Sequence, residues 1–463
     1  MKVNVIGLGY IGLPTALMLA AHGIDVVGTD YNEGLVSTLK SGAVTFEEDG
    51  LDELLTQAMD SGIQFSTQYQ RTDFYIVSVP TPYIAETKKV DASYVVNAVE
   101  TVLDVCDKGA IIVIESTVSP GTIDKYVRPV VVARGLECGK DIHLVHAPER
   151  IIPGNMVNEL VHNNRTLGAD DPEIAEQVRK VYASFCQGDI ALTDIRTAEM
   201  TKVVENTFRD VNIAFANELA KICRSDGMDV REVIRIANMH PRVNILQPGP
   251  GVGGHCISVD PWFLVGDYPA LTKVIGAARN VNDSMPEYVL NRAREVMDDR
   301  GIEDASKVGI YGLTYKADVD DVRESPTLQM LGAMRNHLAS AACKVYDPMV
   351  NADIVENQVH SIEEFLDGLD MVILMIGHKE VRDEPDLFRN CGRTCRFCDQ
   401  PVLCTCFPCL SFGCRGLQST NSDTAFLQRE TFVLGWLCLQ HVHVAPSLDI
   451  LVSYCFLRLG LES

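Results

Sequence analysis

The sequence predicts an α/β protein in which two doubly wound parallel sheets are joined by a long central helix. Short β-like runs alternate with helical stretches over residues 1–195, which is typical of a parallel sheet with crossover helices. Another β-like run, which a glycine turn follows, lies at residues 307–313 and begins a second unit with further β-like runs at 343–347 and 370–375. Between the two units, residues 197–224 contain neither Pro nor Gly, and Gly227 supplies a helix-ending signal.

The first unit carries a glycine-rich turn with the dinucleotide-binding pattern. The run Gly7-Leu-Gly9-Tyr10-Ile11-Gly12 follows a strand and opens a helix, and Asp30 ends the next strand, 18 residues beyond Gly12. The glycines allow a tight turn with a pyrophosphate at the helix N-terminus. An acid at Asp30 binds the adenosine ribose diol and repels a 2′-phosphate. The pattern therefore predicts a Rossmann-like unit that binds NAD rather than NADP, and the second glycine turn makes both units Rossmann-like.

Three polar loops follow β-like runs of the first unit. They are Pro80-Thr81-Pro82, the segment from Ser116 to Thr122 that includes Thr117, and Ala147-Pro148-Glu149-Arg150. Each is compatible with ordinary turn chemistry at a strand end. Because ligands of such sheets bind at the carboxyl ends of the strands, three polar loops at the same rim favour a ligand crevice.

A second candidate site is the loop from Pro248 to Pro261, which combines glycines and prolines with Cys256 and Asp260. A rigid loop that lets backbone approach a ligand suits a nucleophile, and the alternative is a surface loop with an inert thiol. On the predicted central helix, Lys202 and Asn206 are neighbours at i and i+4, although most such lysines are simply solvated. A helix of this length between two α/β units can also serve as a dimer surface. Much of an apolar stripe on it is formed by Val203, Phe208, Val211, Phe215, Leu219 and Ile222.

Taken together, these segments resemble the UDP-glucose/GDP-mannose dehydrogenase family. The matching pieces, which cover residues 1 to about 385, are Gly7–Pro14, Pro80–Pro82, Ser116–Val118, Ala147–Arg150, Lys202 with Asn206, Gly253–Cys256 with Asp260, Gly312–Lys316 and Asp320–Pro326. The resemblance implies two successive NAD-dependent oxidations of the C6 alcohol of a nucleotide sugar to a carboxylate. Residues 196–200, 205–218 and 240–263 are most similar to members that oxidise UDP-N-acetyl-D-mannosamine. Oxidation of UDP-N-acetylglucosamine or UDP-glucose, or an inactive nucleotide-sugar-binding homologue, remains the alternative.

The resemblance also implies roles for individual residues, with no metal among them. Cys256 is implied as the nucleophile that forms a thiohemiacetal and then a thioester, with Lys202 and Asn206 as oxyanion stabilisers. The implied catalytic set is Cys256, Lys202, Asn206, Asp260, Glu149 and Thr117. The implied cofactor contacts are Gly7, Gly9, Tyr10, Ile11, Gly12, Asp30, Thr81, Thr117 and Arg323. The implied substrate contacts are Glu149, Arg150, Lys202, Asn206, Arg209, His240, Arg242, Gly253 and Lys316. His255 is a weaker candidate for a base acting on Cys256.

Composition narrows the partners. A formal net charge of −23 argues against non-specific binding to nucleic acid or to an anionic membrane. No apolar run reaches the length of a membrane helix, and a glycine-interrupted N-terminus does not fit a signal peptide. These features predict a cytoplasmic protein. The resemblance implies a UDP-sugar as the bound substrate, and the long central helix predicts a homodimer.

The predicted domains are an NAD-binding unit at 1–195, a central helical region with the cysteine loop at 196–300, a UDP-sugar-binding unit at 301–390, and an atypical tail at 391–463. The tail holds nine of the 15 cysteines, no lysine, and five acids against five arginines. This composition favours a non-native or disordered terminus, such as one produced by an altered reading frame. Such a terminus lacks the closing strand and helix of the family. A radical-SAM cluster at Cys391, Cys395 and Cys398, or zinc at Cys395, Cys398, Cys406 and Cys409, are the alternatives.

Overall fold

The structure is a computed structural model that describes residues 1–254, 256–337, 343–384, 387–388 and 394–396. Its N-terminal part is built on an eight-stranded sheet with the order β3-β2-β1-β4-β5-β6-β7-β8. The strands are β1 Lys2–Ile6, β2 Asp25–Thr29, β3 Gln64–Ser66, β4 Phe74–Val77, β5 Ala110–Ile114, β6 Ile142–His146, β7 Arg165–Ala169 and β8 Ile190–Thr193. Neighbouring strands are parallel except for β6 and β7, which are antiparallel.

Helices cover both faces of this sheet, as the alternating pattern predicts. They are α1 Gly12–Ala21, α2 Glu33–Lys40, α3 Leu51–Asp60, α4 Ser93–Val105, α5 Arg128–Ala133, α6 Met156–His162 and α7 Pro172–Tyr182, with a π-helix at Ile123–Val127. Two apolar clusters form the core, one with Val3, Val5 and Leu17, the other with Ile6, Val77 and Ile112. Burial on both faces explains why the strands are nearly continuous apolar runs rather than alternating ones. Because β1, β4, β5 and β6 are paired in parallel, their carboxyl ends lie at one rim of the sheet.

The central helix is slightly longer than the sequence predicts. The helix α8 spans Ile195–Ser225, and the Asp194 side chain caps it by accepting a hydrogen bond from the Thr197 N–H. The predicted apolar stripe divides between two faces: Val203 is fully buried, whereas Phe208, Phe215 and Ile222 are exposed. The helices that follow are α9 Val230–Ala237, α10 Asp260–Asp267, α11 Lys273–Asp283 and α12 Met285–Arg300.

A buried ion pair fixes α11 against α8. The Arg279 guanidinium lies 2.5 Å from the Asp210 carboxylate, and both side chains are almost completely buried. Asn282 donates to the same carboxylate at 2.8 Å. Because burial of an unpaired charge is costly, removing one partner should be far more destabilising than the pair is stabilising.

We therefore expect Arg279→Met to lower the free energy of unfolding by about 3–5 kcal/mol, the range for a broken buried pair. Urea unfolding followed by circular dichroism would measure this loss. The control is Arg235→Met, which breaks an exposed pair with Glu232 and should leave the curve nearly unchanged. Equal midpoints for the two variants would contradict the prediction.

The C-terminal part is a second parallel α/β unit. Its five-stranded sheet has the order β11-β10-β9-β12-β13. The strands are β9 Val308–Tyr311, β10 Lys344–Tyr346, β11 Gln358–Val359, β12 Met371–Leu374 and β13 Thr394–Arg396, and the helices are α13 Pro326–His337, α14 Ile362–Leu366 and α15 Lys379–Asp383. The predicted strands at 307–313, 343–347 and 370–375 are confirmed.

One expectation for this unit is wrong. The sequence predicts that the tail from residue 391 lacks the closing strand and leaves the edge of the sheet bare. Instead, β13 pairs in parallel with β12, with Thr394 opposite Val372. The residues Thr394-Cys-Arg396 contain no apolar run, so nothing in their composition signals a strand. The rest of the tail, with its suggested iron–sulfur and zinc patterns, lies outside the described residues apart from Cys395.

Candidate active site

The glycine-rich turn between β1 and α1 is shaped by close packing on one side and open space on the other. Gly7 has a φ of +86°, and a Cβ there would collide with the Ser78 carbonyl. A Cβ at Gly12 would collide with the Gly7 carbonyl, whereas a Cβ at Gly9 would meet nothing within 4 Å. The first and third glycines are therefore required by the turn. The second leaves its backbone accessible to a pyrophosphate in front of the helix N-terminus.

Asp30 completes this half-site. Its carboxylate follows β2 and accepts hydrogen bonds from the N–H of Leu8 and the N–H of Asn32, both at 2.9 Å. The acid is thus tied to the glycine-rich turn, and its side chain is only partly buried. A fixed, accessible carboxylate in this position fits the adenosine ribose diol of NAD.

Other predicted cofactor contacts lie around the same rim. Thr81 donates to the carbonyl of Thr117 at 2.7 Å, which joins two of the polar strand-end loops. Ile11 is the partly buried residue that precedes α1. Tyr10 stacks on Phe46 with centroids 4.3 Å apart, and the Arg323 guanidinium lies 4.8 Å from the Tyr10 ring. Arg323 therefore reaches the cofactor turn from the C-terminal unit, where Asp321 holds it at 2.7 Å.

The cysteine loop packs against the C-terminal unit. A Cβ at Gly253 would lie 2.6 Å from the Tyr315 Cβ, and one at Gly254 would lie 2.7 Å from the Tyr315 ring. The Gly254 N–H donates to the Arg323 carbonyl at 3.0 Å. These glycines are required because the loop lies directly on Tyr315. Cys256 follows them and is exposed to solvent. His255, the weaker candidate for a base, lies outside the described residues.

Three predicted catalytic residues meet beside Cys256. Lys202 and Asn206 lie on the buried face of α8, and Asp260 is the buried first residue of α10. Asn206 donates to the Asp260 carboxylate at 2.6 Å. The Asp260 N–H donates to the Cys256 carbonyl at 2.8 Å, so the acid and the thiol belong to one tight turn.

The charges in this cluster oppose one another. Burial raises the pKa of Asp260 to about 6, against the lowering effects of Lys202 and of the hydrogen bond from Asn206. Cys256 is exposed at the surface, but the surrounding protein atoms desolvate its thiol. This desolvation and the charge of Asp260 raise the pKa of Cys256. Lys202, Arg323 and Arg209 act in the opposite direction. The cluster can therefore hold a thiolate only with the help of nearby cations.

Glu149 belongs to a different polar cluster. Its buried carboxylate pairs with Arg165 and accepts the N–H of Arg150 at 2.6 Å and that of Ile151 at 3.2 Å. The Arg150 side chain is held by Glu205 on α8, by the Asn164 carbonyl and by Thr166. These contacts give Arg150 a structural role in linking the Glu149 loop to α8.

The remaining predicted substrate contacts are more scattered. Lys316 donates to the Pro153 carbonyl at 2.7 Å and so joins the C-terminal unit to the loop after Glu149. His240 and Arg242 are exposed in the segment between α9 and the cysteine loop, where the Arg242 N–H donates to His240 at 3.3 Å. A cavity adjoins this segment; it is lined by Ile213, Gln247, Pro248, Gly249, Pro250, Gly251, Tyr315, Pro326 and Ile376.

Sequence reasoning missed Glu199, one turn before Lys202 on α8. Its buried carboxylate accepts the N–H of Gly121 and, at 3.0 Å, that of Ile123, so it holds the loop of Thr117 against the helix. An acid on the same helical face as Lys202 and Asn206 was the available signal.

Among the residues that the structure describes, no group of His, Cys, Asp and Glu side chains could hold a metal ion. None of the described helices is long and apolar enough to cross a membrane.

Comparisons with known proteins agree with this geometry. Three models of the UDP-glucose/GDP-mannose dehydrogenase family match in order: the NAD binding domain at residues 1–186, the central domain at 196–284 and the UDP binding domain at 309–400. The last match extends past residue 390, where the sequence predicts that the resemblance stops. The chain belongs to the UDP-glucose/GDP-mannose dehydrogenase family.

Relatives narrow the class further. A UDP-N-acetyl-D-mannosamine dehydrogenase of Methanococcus maripaludis is 45% identical over 381 residues, which cover 81% of this chain and 86% of the relative. The UDP-N-acetyl-mannosamine dehydrogenase structure from Staphylococcus aureus has a TM-score of 0.75 at 43% identity and covers 82% of this chain and 90% of its own. A UDP-D-ManNAc dehydrogenase structure from Pyrococcus horikoshii has a TM-score of 0.78 at 37% identity, with coverages of 84% and 93%. The chain is thus an NAD-dependent UDP-sugar dehydrogenase.

Asp30 should decide the choice between NAD and NADP. Asp30→Ala removes both the ribose contact and the repulsion of a 2′-phosphate, so the KM for NAD should rise and the preference over NADP should narrow about tenfold or more. Initial rates with each cofactor, at fixed ionic strength, would measure this. Asp25→Ala, at the opposite and exposed end of β2, is the control and should change neither KM. A wild type that uses both cofactors equally would contradict the assignment.

Proposed function

We propose that the protein oxidises UDP-N-acetyl-D-mannosamine at C6 to UDP-N-acetyl-D-mannosaminuronate through covalent intermediates on Cys256. The observation that carries the mechanism is an accessible thiol beside the buried Lys202, Asn206 and Asp260 cluster. The choice of sugar is supported by the similar proteins, which are named as UDP-N-acetyl-D-mannosamine dehydrogenases. We assign the NAD-binding part to residues 1–195, the central catalytic part to 196–300 and the UDP-sugar-binding part to the residues from 301, with its predicted end at 390 extended to include β13.

The reaction requires two oxidations and one molecule of water. NAD, when bound, accepts two electrons and one hydrogen nucleus as hydride in each oxidation, so two NAD are consumed. The C6 alcohol loses a hydride and a proton to become an aldehyde. The Cys256 thiolate adds to the aldehyde carbon, and the oxygen takes up a proton to give a thiohemiacetal. Loss of a second hydride and a proton gives a thioester, and water hydrolyses it to the carboxylate with release of the thiol.

Each residue of the proposed catalytic set has its own role in this reaction. Lys202 and Asn206 are placed to stabilise negative charge on the C6 oxygen at each tetrahedral stage. Lys202 also favours the Cys256 thiolate, because it lowers the pKa of that thiol. Asp260 and Thr117 orient the hydrolytic water, and Glu149 serves as general acid and base. Domain opening, with the sugar held on Cys256, allows the cofactor to exchange between the two oxidations.

A turnover panel tests this proposal. The full chain is supplied with NAD and, in turn, UDP-N-acetyl-D-mannosamine, UDP-N-acetylglucosamine and UDP-glucose. We expect two NADH per sugar and the highest kcat/KM for the first. A higher kcat/KM for either alternative would overturn the sugar assignment. Binding of UDP-sugar without NADH formation would instead identify a nucleotide-sugar sensor that has lost turnover.

We also propose a cytoplasmic homodimer. Phe208, Phe215 and Ile222 are 64%, 48% and 54% exposed along one face of α8, which a second copy of the helix would cover. The six cysteines that the structure describes with their side chains are free thiols, in keeping with a reducing compartment. Sedimentation of wild type and Phe215→Asp tests the dimer: the variant should be monomeric, and a monomeric wild type would overturn the assignment.

A further inference from the structure

A buried charge cluster lies between the cofactor turn and Glu149. The Arg165 side chain is only 6% exposed and faces two carboxylates, Glu149 in direct contact and Glu115 at 3.9 Å. These two acids are 3% and 0% exposed. The guanidinium lies 4.6 Å from the centroid of the Tyr182 ring, which helps to fix its plane. One cation is therefore shared by two buried acids.

Glu115 is anchored from the cofactor side. Its two carboxylate oxygens accept hydrogen bonds from Ser78 at 2.6 Å and from Tyr182 at 3.0 Å, with Thr15 at 3.4 Å. Thr15 belongs to the first turn of α1. Ser78 is the residue against which both Gly7 and Gly12 of the cofactor turn are packed. Glu115 is thereby fixed to the floor of the cofactor turn, and its charge acts on Arg165.

We propose that Glu115 is a positioning residue that, by competing with Glu149 for Arg165, weakens the Glu149–Arg165 ion pair, leaves the Glu149 carboxylate available for proton transfer and couples it to the cofactor turn. This inference rests on the proposed role of Glu149 as general acid and base. An ionised Glu115 draws part of the guanidinium charge away from Glu149. A neutral Glu115 leaves the whole charge to Glu149, and the ion pair between Glu149 and Arg165 becomes stronger.

Protonation of Glu115 is the natural switch between these two states. Burial and the charge of Glu149 raise the pKa of Glu115 to about 7. Tyr182 also contacts Glu115, and burial raises the pKa of Tyr182 well above its usual value. His146 lies on the neighbouring strand opposite Ile114, and burial lowers its pKa to about 3. Cys186, which lies four residues beyond the end of α7, acts on Arg165 electrostatically. Near neutral pH, Glu115 is thus the member of the cluster that changes charge.

The test uses Glu115→Gln in the full chain with NAD and UDP-sugar. Glutamine keeps the shape but has a single acceptor oxygen, which serves either Ser78 or Tyr182, and it mimics the protonated acid at every pH. At pH 8 we expect kcat to fall about tenfold, because the stronger Glu149–Arg165 ion pair opposes proton transfer at Glu149, while the KM for NAD stays within about twofold. The wild-type kcat should decline as pH falls through about 7, and the variant should lack this step. A lower pH step due to Asp260 should remain in both.

A double-mutant cycle separates positioning from a structural role. Single-turnover rates are measured for wild type, Glu115→Gln, Glu149→Gln and the double variant. If Glu115 acts through Glu149, its substitution has no further effect in the Glu149→Gln background. Glu199→Gln is the matched control, because Glu199 is buried with a pKa also raised to about 7 but does not touch Arg165. Its effect should be the same in both backgrounds.

The outcomes are distinct. An equal loss from Glu115→Gln in both backgrounds, or a change confined to the KM for NAD, overturns the positioning role alone. A Glu149→Gln variant with the wild-type rate overturns the proposed role of Glu149 and this inference with it. Should Glu115→Gln fail to fold, Tyr182→Phe removes one donor to the ionised acid. It should then move the step near pH 7 upward, and an unmoved step overturns the proposal.

Discussion

Cys256→Ala should form essentially no uronate, with the rate lowered by more than about 10³-fold, as expected when the nucleophile of a covalent mechanism is removed. Without the sulfur, neither the thiohemiacetal nor the thioester can form, so the second oxidation has no substrate. The first oxidation can still release a trace of aldehyde. NADH absorbance and mass spectrometry of the sugar nucleotide would measure both products in the same reaction.

The matched control is Cys138→Ala, a partly buried thiol in the NAD-binding part. It should retain two NADH per sugar and the wild-type rate. Unchanged uronate formation by Cys256→Ala would remove the covalent mechanism while leaving the class of enzyme intact. Two NADH per sugar without an adduct on Cys256 would require a hydrated aldehyde as the second substrate.

The parts of the site that could be predicted from sequence are those that depend on local backbone geometry. Gly7 and Gly12 are fixed by contacts inside their own turn, and Asp30 by its place at the end of β2. Gly253 and Gly254 were likewise recognisable, although the reason for them, the Tyr315 ring, comes from another domain. Local patterns with strong steric causes leave a clear trace in the sequence.

The parts that could not be predicted depend on side chains brought together by the sheet. Glu115 and Arg165 are 50 positions apart in the sequence. Glu115 directly follows β5, Arg165 begins β7, β6 lies between these strands, and each residue looks like an isolated charge at a strand end. The pairing of Asn206 with Asp260 is visible only once α10 packs on α8. The motif predicts Arg150 as a substrate contact, but its hydrogen bonds to Glu205 and Thr166 join distant positions and leave no local pattern in the sequence.

The edge strand β13 gives a similar lesson for the fold. Its pairing with β12 is made by backbone hydrogen bonds, which any non-proline residue can supply. A change in composition near residue 391 therefore does not mark where the sheet ends. Composition remains informative about the segment as a whole, since nine cysteines and no lysine in 73 residues depart sharply from the preceding chain.

Lys202→Met should lower kcat by about 10²–10³-fold, the range found when one stabiliser of a developing oxyanion is removed. The same change should raise the pKa of Cys256, because the Lys202 ammonium lowers it while Asp260 and desolvation raise it. The thiolate fraction at a given pH then falls, and the midpoint of alkylation by iodoacetamide, followed on the Cys256 peptide by mass spectrometry, moves to higher pH.

The control is Lys221→Met on the same helix, where the ammonium binds Ser284 at 3.1 Å. That variant should change neither kcat nor the midpoint. A fall in kcat with an unmoved midpoint would confine Lys202 to the substrate oxygen. If neither quantity changes, Lys202 has no part in the chemistry.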